Sequence, residues 1–502
     1  MGIPSFFSYI VKNHQRIIQK LERNRRPNNF YLDCNSIIYD VINNVGNNIT
    51  ETTEYAIIIS LVISKIEEYI LFISPSVQVY IAFDGVAPFA KLEQQRQRRY
   101  KSWYQNKINA QIFNAPKATA TTPTKKWNTA AITPGTEFMK ELNVALHTHF
   151  DGVNSVIVSG SNEVGEGEHK IFDFIRQKGD QGSTIIYGLD SDLIMLALNH
   201  LSVNPQIYLF REAPHFSMDK LEPCESYVMD IGELSKQIVS ELNGGSVVDY
   251  IFMCFFLGND FMPHFPSLNI RTGGIDKMMN AYREITKTSG ERLCLTDGTQ
   301  IYWKNVRALC SFLARHEEKH LKEEIALRDK KEGMYKRHDA KLGLKENAYK
   351  RFELLPSHER EMEKYINPLQ PYWQCRYYET LFGFSGSDTD KKREVSLNYL
   401  EGLKWNMKYY TSGCPDWKWK YEYHYPPLLS DLLKEMPYFE TVLTVAETSP
   451  VSELFQLYYV LPKQSAYLLP CELREKKEQE DDEYEFIWCF CKYFWECHVV
   501  MN

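Results

Sequence analysis

Four carboxylates between Ser159 and Leu196 are the residues best placed to do chemistry: Glu166 and Glu168 in SNEVGEGEHK, and Asp190 and Asp192 in YGLDSDLIML. Within each pair a single residue intervenes. Acidic side chains crowded at one edge repel one another unless a hard cation lies between them, and Mg2+ takes oxygen ligands and works together with substrate phosphates. On a helix Glu166 and Glu168 would point about 200° apart. Gly165 and Gly167 flank them, so both are placed on the turn entering a helix over Lys170–Gln177, where they can converge. The plainer account of these four alone is a solvated acidic loop and an aspartate capping a helix.

Short apolar, β-branched runs must carry these groups to one place. Thr184–Leu189 reads as a buried strand ending on Asp190, with a helix over Leu193–Leu198 behind it. Phe30–Asp33 (FYLD) ends on a carboxylate, and Val77–Phe83 (VQVYIAF) runs into Asp84. A strand ending on aspartate three times over is harder to dismiss than one. Ser155–Val158 is the strand leading into the glutamate pair, and Tyr55–Leu71 has helical periodicity. This alternation predicts an α/β fold, a mainly parallel central sheet flanked by helices, with ligands beyond the strand carboxyl ends. Asp249–Leu257 is apolar all round and delivers a seventh carboxylate, Asp260.

Directly after Asp84, Lys91, Gln95, Arg98 and Arg99 fall at i, i+4, i+7 and i+8, one face of a helix. Such a stripe suits a phosphate held near metal ions, with arginine adding paired donors; the plainer account is a solvated face. Gln105–Ala131, rich in Ala, Thr and Asn, reads as an insertion or mobile loop. Gly2–Tyr9 is apolar enough to be tied into the fold.

With 502 residues, 44% apolar and 25% charged, the chain reads as a soluble globular protein of two or three domains. The net charge of −7 argues against indiscriminate nucleic-acid binding but not against a local basic path. No apolar window suits a bilayer, and the N-terminus lacks a signal-peptide layout. Phe6 stands where a myristoylation motif needs Ser or Thr. Eleven scattered cysteines point to a reducing compartment, and Cys489, Cys491 and Cys497-His498 read as buried thiols, not a zinc site. Three segments are expected: a catalytic core over 1–290, a charged helical arm over 291–370, and an aromatic-rich region over 371–502 that packs on the core. Within the arm, His316–Tyr365 reads as exposed helix interrupted at Gly333 and Gly343. Tyr372–Gly413 reads as aromatic helices. Trp417, Trp419, Tyr421, Tyr423 and Tyr425 then alternate, as a buried wall or as base-stacking rings worth roughly 1–3 kcal/mol each. Phe486–Val500 reads as a final strand, preceded by a solvated acidic loop over Glu478–Glu483.

In order, MGIPSFF, FYLDCNSIIYD, IAFDGVAPFAKLEQQRQRR, ITPGTEFM, SGSNEVGEGEHKI, YGLDSDLIML, LFRE and FFLGNDFMPHFPSL resemble the Xrn family of 5′→3′ exoribonucleases. YLEGLKWNMKYYTSGCPDWKWKYEYHYPP resembles that family's second conserved region. The resemblance implies a flap-nuclease or PIN-like core with two Mg2+ ions, for which Mn2+ can substitute. It assigns them Asp33, Asp84, Glu166, Glu168, Asp190, Asp192 and Asp260. It makes Lys91, Gln95, Arg98 and Arg99 the pocket for a 5′-monophosphate. The implied activity is processive hydrolysis of single-stranded RNA to nucleoside 5′-monophosphates, in RNA decay, by a monomer. A decapping enzyme is the candidate protein partner. The cytoplasm is the expected compartment, with a nuclear or viral setting as the alternative for a short form ending at Asn502. The family commonly stacks a histidine on the first nucleotide; here that position is Tyr39, with Trp417 or Trp419 expected on the opposing face. Two other functions compete. A structure-specific 5′ DNA nuclease would want a Gly-x-Gly hairpin that the segment after Asp260 (FMPHFPSLNIRTGGID) lacks. A catalytically inactive RNA-binding scaffold would have lost carboxylates, and all seven are present.

Overall fold

The structure is a computed structural model. It describes residues 2–22, 26–45, 54–113, 127–179, 182–212, 221–222, 225–290, 292–335, 339, 341–354, 360–438, 448–479, 486–488 and 499–501. Its centre is a seven-stranded sheet in the order β1-β7-β6-β5-β2-β3-β4. The strands are β1 (Ile18–Lys20), β2 (Asn29–Asp33), β3 (Gln78–Ala82), β4 (Val156–Ser159), β5 (Thr184–Tyr187), β6 (Ile207–Glu212) and β7 (Ser226–Asp230). The five from β4 through β3, β2 and β5 to β6 are parallel, while β7 pairs antiparallel with β6 and β1 with β7. After β2 the chain works outward through β3 and β4, then returns to β5 on the other side of β2. That reversal opens a crevice beyond the carboxyl ends of β2 and β5.

Both faces of the sheet are buried, and the side-chain alternation decides which core each residue enters. Phe30, Leu32, Val79, Ile81, Ile185 and Tyr187 face one core, packed against α2 (Asn35–Val45), α3 (Tyr55–Ile73) and α5 (Glu137–His149). Tyr31, Tyr80, Ala82, Ile186 and Leu209 face the other, with α1 (Phe6–Asn13), α6 (Gly167–Lys178), α7 (Asp192–Asn199), α8 (Ile231–Glu241), α9 (Val247–Cys254) and α10 (Gly274–Ser289). This second core also takes in Leu309 and Leu313 at the start of α11 (Trp303–Tyr335), and Tyr399, Leu403, Trp405 and Tyr410 of the helix Thr389–Ser412. Among the described residues no helix is long and apolar enough to cross a membrane.

Four expectations are corrected. The basic stripe lies on α4 (Phe89–Phe113), which continues through Gln105–Phe113 instead of yielding to a loop. Its Lys, Gln and Ala favour helix, and α12 (Leu344–Glu353) supports its end, Lys345 Nζ donating to Phe113 O at 3.1 Å. Residues 114–126 lie outside those described. The charged arm is neither broken at Gly333 nor merely exposed, because α11 runs unbroken to Tyr335. Leu321 and Ile325 are buried, and Arg328 pairs with the fully buried Glu363 at 2.9 Å, so charges that looked solvated are matched inside. The final strand is two short antiparallel ones, Phe486–Trp488 and Val499–Met501; Cys489, Cys491, Cys497 and His498 lie outside the described residues. The acidic run begins as the last residue of the helix Cys471–Glu478, with 480–485 likewise outside.

Candidate active site

The crevice is built from strand ends. Asp33 closes β2, and Asp84 stands two residues beyond β3. Asn35 fixes Asp84 twice: its Nδ2 donates to Oδ2 at 2.5 Å, and its Oδ1 accepts from the Asp84 amide at 3.1 Å. The first helical amide of α6, Gly167 N, donates to Asp84 Oδ1 at 2.7 Å, where the helix dipole favours negative charge. Only glycine allows that approach, since a Cβ on Gly167 would lie 2.6 Å from Asp33 Oδ1. The helix begins earlier than expected, so Glu166 is its N-cap residue and Glu168 lies in its first turn. Lys170 ties the strand ends together, its buried ammonium donating to Phe83 O at 2.8 Å and Gly160 O at 2.7 Å; burial pulls its pKa down to about 8. Asp190 caps the start of α7 by accepting from the Asp192 amide at 3.2 Å, and Arg211 Nη2 donates to Asp190 O at 2.7 Å.

These elements enclose a cavity of about 460 Å3. Asp33, Asp84, Glu166, Glu168, Asp190 and Asp260 line it together with Lys91, Gln95, Arg98, Arg99 and Tyr39. Asp192 is 2% exposed and sits behind the wall; a Cβ on Gly2 would meet its Oδ1 at 2.0 Å. Lys91 stands between the acidic and basic sides, Nζ lying 2.6 Å from Glu166 Oε2 and 2.6 Å from Asp260 Oδ2. A lysine expected to meet phosphate is thus paired with two carboxylates.

Burial and mutual repulsion set the electrostatics. Burial, then Asp84 and Glu166, push Asp33 up to about 8, and burial with Asp260 pushes Asp192 up to about 6. Glu168 is held well above the carboxylate range by burial and Asp192. Burial opposes the charge on Asp260 too, but Lys91 keeps it below its ordinary value. Among the described residues Asp33 Oδ1, Glu168 Oε2 and Asp192 Oδ1 have no hydrogen-bond partner and are buried, an expensive state for an anion. Among the described residues no group of three Asp, Glu, His or Cys is drawn in tightly enough to cage an ion. Even so, the donor set fits divalent metal: all oxygen, strongly acidic, with orphaned acceptors that hard cations satisfy. On the basic side Arg99 is half-buried, with its Nη1 buried and without a partner among the described residues, and Arg98 is exposed.

Neither tryptophan joins the cavity wall. Trp419 stacks on Trp405 at 5.1 Å, and Trp417 O accepts from Phe89 N at the start of α4 at 2.8 Å. Four contributors have no role in the sequence reading: Asn35, Lys170, Arg211, and Tyr409, whose hydroxyl donates to Glu166 Oε1 at 2.7 Å. All lie inside or near the quoted motifs, but their partners stand up to 243 residues away. The N-terminal segment also contributes, with Ile3, Ser5, Phe6, Phe7 and Ser8 in the lining.

Two family models match the chain. One described as the XRN 5′-3′ exonuclease N-terminus covers residues 1–213, and one described as the Xrn1 helical domain covers 245–363 and 357–483. Over 94% of its length the chain is 27% identical to a 5′-3′ exoribonuclease 2 homolog of Drosophila melanogaster and 26% identical to 5′-3′ exoribonuclease 1 of Saccharomyces cerevisiae. It is 27% identical over 96% of its length to 5′-3′ exoribonuclease 1 of Homo sapiens. It spans 65%, 40% and 32% of those relatives' own lengths. Among solved structures, the catalytic core of Rad2 in complex with DNA substrate matches 78% of this chain and 98% of that one, at 14% identity and a TM-score of 0.32, a likeness too loose to argue from.

Proposed function

The chain belongs to the XRN 5′-3′ exonuclease family, and from that premise we propose that it hydrolyses RNA from a 5′-monophosphate end, releasing nucleoside 5′-monophosphates one at a time. The observation that carries this reading is one cavity lined both by carboxylates and by Gln95, Arg98 and Arg99, with Lys91 of the same helix paired to Glu166 and Asp260. An exonuclease needs such a stop, because something must set the scissile phosphate in register with the reacting centre.

Asp33, Asp84, Glu166, Glu168, Asp190, Asp192 and Asp260 would hold two divalent ions, Mg2+ by the chemistry of the donors. Bound there, the ions would supply an activated water and stabilise the leaving oxygen of an in-line displacement. The chain's own residues do the positioning. Arg98 and Arg99 offer paired donors to a terminal phosphate, and Arg99 Nη1 has no hydrogen-bond partner among the described residues. Lys91, already between Glu166 and Asp260, links the phosphate end to the carboxylates and neutralises part of their charge. Tyr39 lines the same cavity and offers a ring to the first base without reading its identity.

End-labelled RNAs bearing 5′-monophosphate, hydroxyl, triphosphate or cap test this directly. The monophosphate should be degraded fastest, since a hydroxyl leaves the cations unpaired and the larger groups do not fit a one-phosphate stop. Release of labelled mononucleotide from the 5′ end is the expected product, and Arg98→Ala with Arg99→Ala should erase most of the preference over hydroxyl ends. Equal rates on all four RNAs would refute the reading.

A further inference from the structure

The helix Thr389–Ser412 places a side-chain donor on a candidate metal carboxylate. Tyr409 donates to Glu166 Oε1 at 2.7 Å, while Lys91 occupies Oε2 at 2.6 Å. Both oxygens of this nearly buried carboxylate are therefore held, one by a neutral donor and one by a cation. The tyrosine itself has little freedom. His169 stacks on its ring at 3.8 Å and Trp405 at 4.7 Å, and Phe261 meets it edge-on at 5.2 Å. Trp405 is anchored in turn, its indole N–H donating to Asp416 O at 2.8 Å and its ring stacked on Trp419. A phenylalanine would make every one of these ring contacts; the hydroxyl adds only the bond to Glu166.

We infer that Tyr409 is a positioning residue for Glu166, so that this carboxylate is oriented to serve a divalent ion only when the helix Thr389–Ser412 is seated on the core. The inference rests on the exonuclease reading above and deepens it. The stacked series Trp419–Trp405–Tyr409–His169 is then a rigid prop running from the aromatic-rich segment to the carboxylates. This also gives Trp419 a part without contact with RNA. Removing the hydroxyl leaves Glu166 Oε1 buried without its donor and free to turn toward Lys91.

Mn2+ binding to the full chain, followed by the electron paramagnetic resonance signal of free Mn2+ without RNA, reads this apart from turnover. Tyr409→Phe should bind Mn2+ at least roughly tenfold more weakly, as partners that orient metal ligands typically do. The Mg2+ concentration that half-saturates cleavage should rise in step, while KM for 5′-phosphorylated RNA at saturating Mg2+ and the thermal unfolding midpoint stay unchanged. Because Tyr409 acts through Glu166, Tyr409→Phe combined with Glu166→Gln should be no worse than Glu166→Gln alone. Wild-type Mn2+ affinity in Tyr409→Phe, additive losses in the double variant, or a loss confined to RNA binding would each overturn the inference. A wild-type chain that binds Mn2+ but leaves RNA intact would refute the exonuclease reading by itself, and the Mn2+ comparison would still decide the part of Tyr409.

Discussion

Asp190 meets the cavity from the end of β5, where its side chain also caps α7. Asp190→Asn keeps that cap, since an asparagine oxygen accepts the same amide, and removes only the charge. We expect turnover on 5′-phosphorylated RNA to fall by several orders of magnitude while RNA binding, measured by filter retention in Ca2+, is kept. Near wild-type degradation in Mg2+ would withdraw Asp190 from the site. At this scale the sequence was legible where position along the chain decides the outcome. A carboxylate at the last residue of a strand or up to three residues past it, as Asp33, Asp84 and Asp190 are, lies at the sheet's edge whatever the rest of the fold does, and six of the seven line one cavity. Partnership was not legible. Asn35 lies 49 residues from Asp84, and Lys91 lies 169 from Asp260; nothing local says that a basic stripe will give its first member to the acids.

Elements were legible through their periodicity and misread through their charge. Four sheet strands, β2 to β5, follow from their β-branched and aromatic residues, and their boundaries moved by only a residue or two; β1, β6 and β7 were not read, and the last expected strand is two. In α11 the dense charge suggested solvent, yet Glu317 is 4% exposed and accepts the Leu429 amide at 3.0 Å, at the start of the helix Leu429–Glu435. Burial raises its pKa from 4.5 to about 8, although the amide bond opposes the rise. The folded state thus prefers the protonated acid. Its contribution to stability is complete below pH 4.5 and is lost as pH climbs to about 8. Thermal unfolding in chelator should show a midpoint that falls across that range in the wild type, and a flatter profile in Glu317→Gln. Parallel profiles for the two proteins would mean that Glu317 is ionised in the fold.

At the scale of the whole molecule, the change of composition near residue 300 marks a change of surface chemistry, and the second core runs straight across it. Leu257, Phe265 and Met279 pack in one cluster with Leu309, Leu403 and Leu432. Cutting the chain after residue 290 would strip one side of this core, and large apolar areas left in water draw chains together. We expect a 1–290 fragment to be aggregated or to lack a cooperative unfolding transition, read by size-exclusion chromatography and calorimetry. A monomeric fragment with a sharp transition would show that the first segment stands alone. The resemblance carried the expectation that the region over 371–502 packs on the core, but which residues meet in the shared interior was not legible, because that depends on contacts between residues far apart in sequence.

The bond between Tyr409 and Glu166 also has a consequence in time. Chains are synthesised from the N-terminus and begin folding as they emerge, so all seven carboxylates leave the ribosome well before Tyr409 does. A nascent chain at that stage has the charge of the site without the prop for Glu166 or the interior supplied by the helix Thr389–Ser412. Under the exonuclease reading proposed above, this order of assembly leaves the site without its prop until Tyr409 has left the ribosome, while the nascent chain is still held beside an RNA.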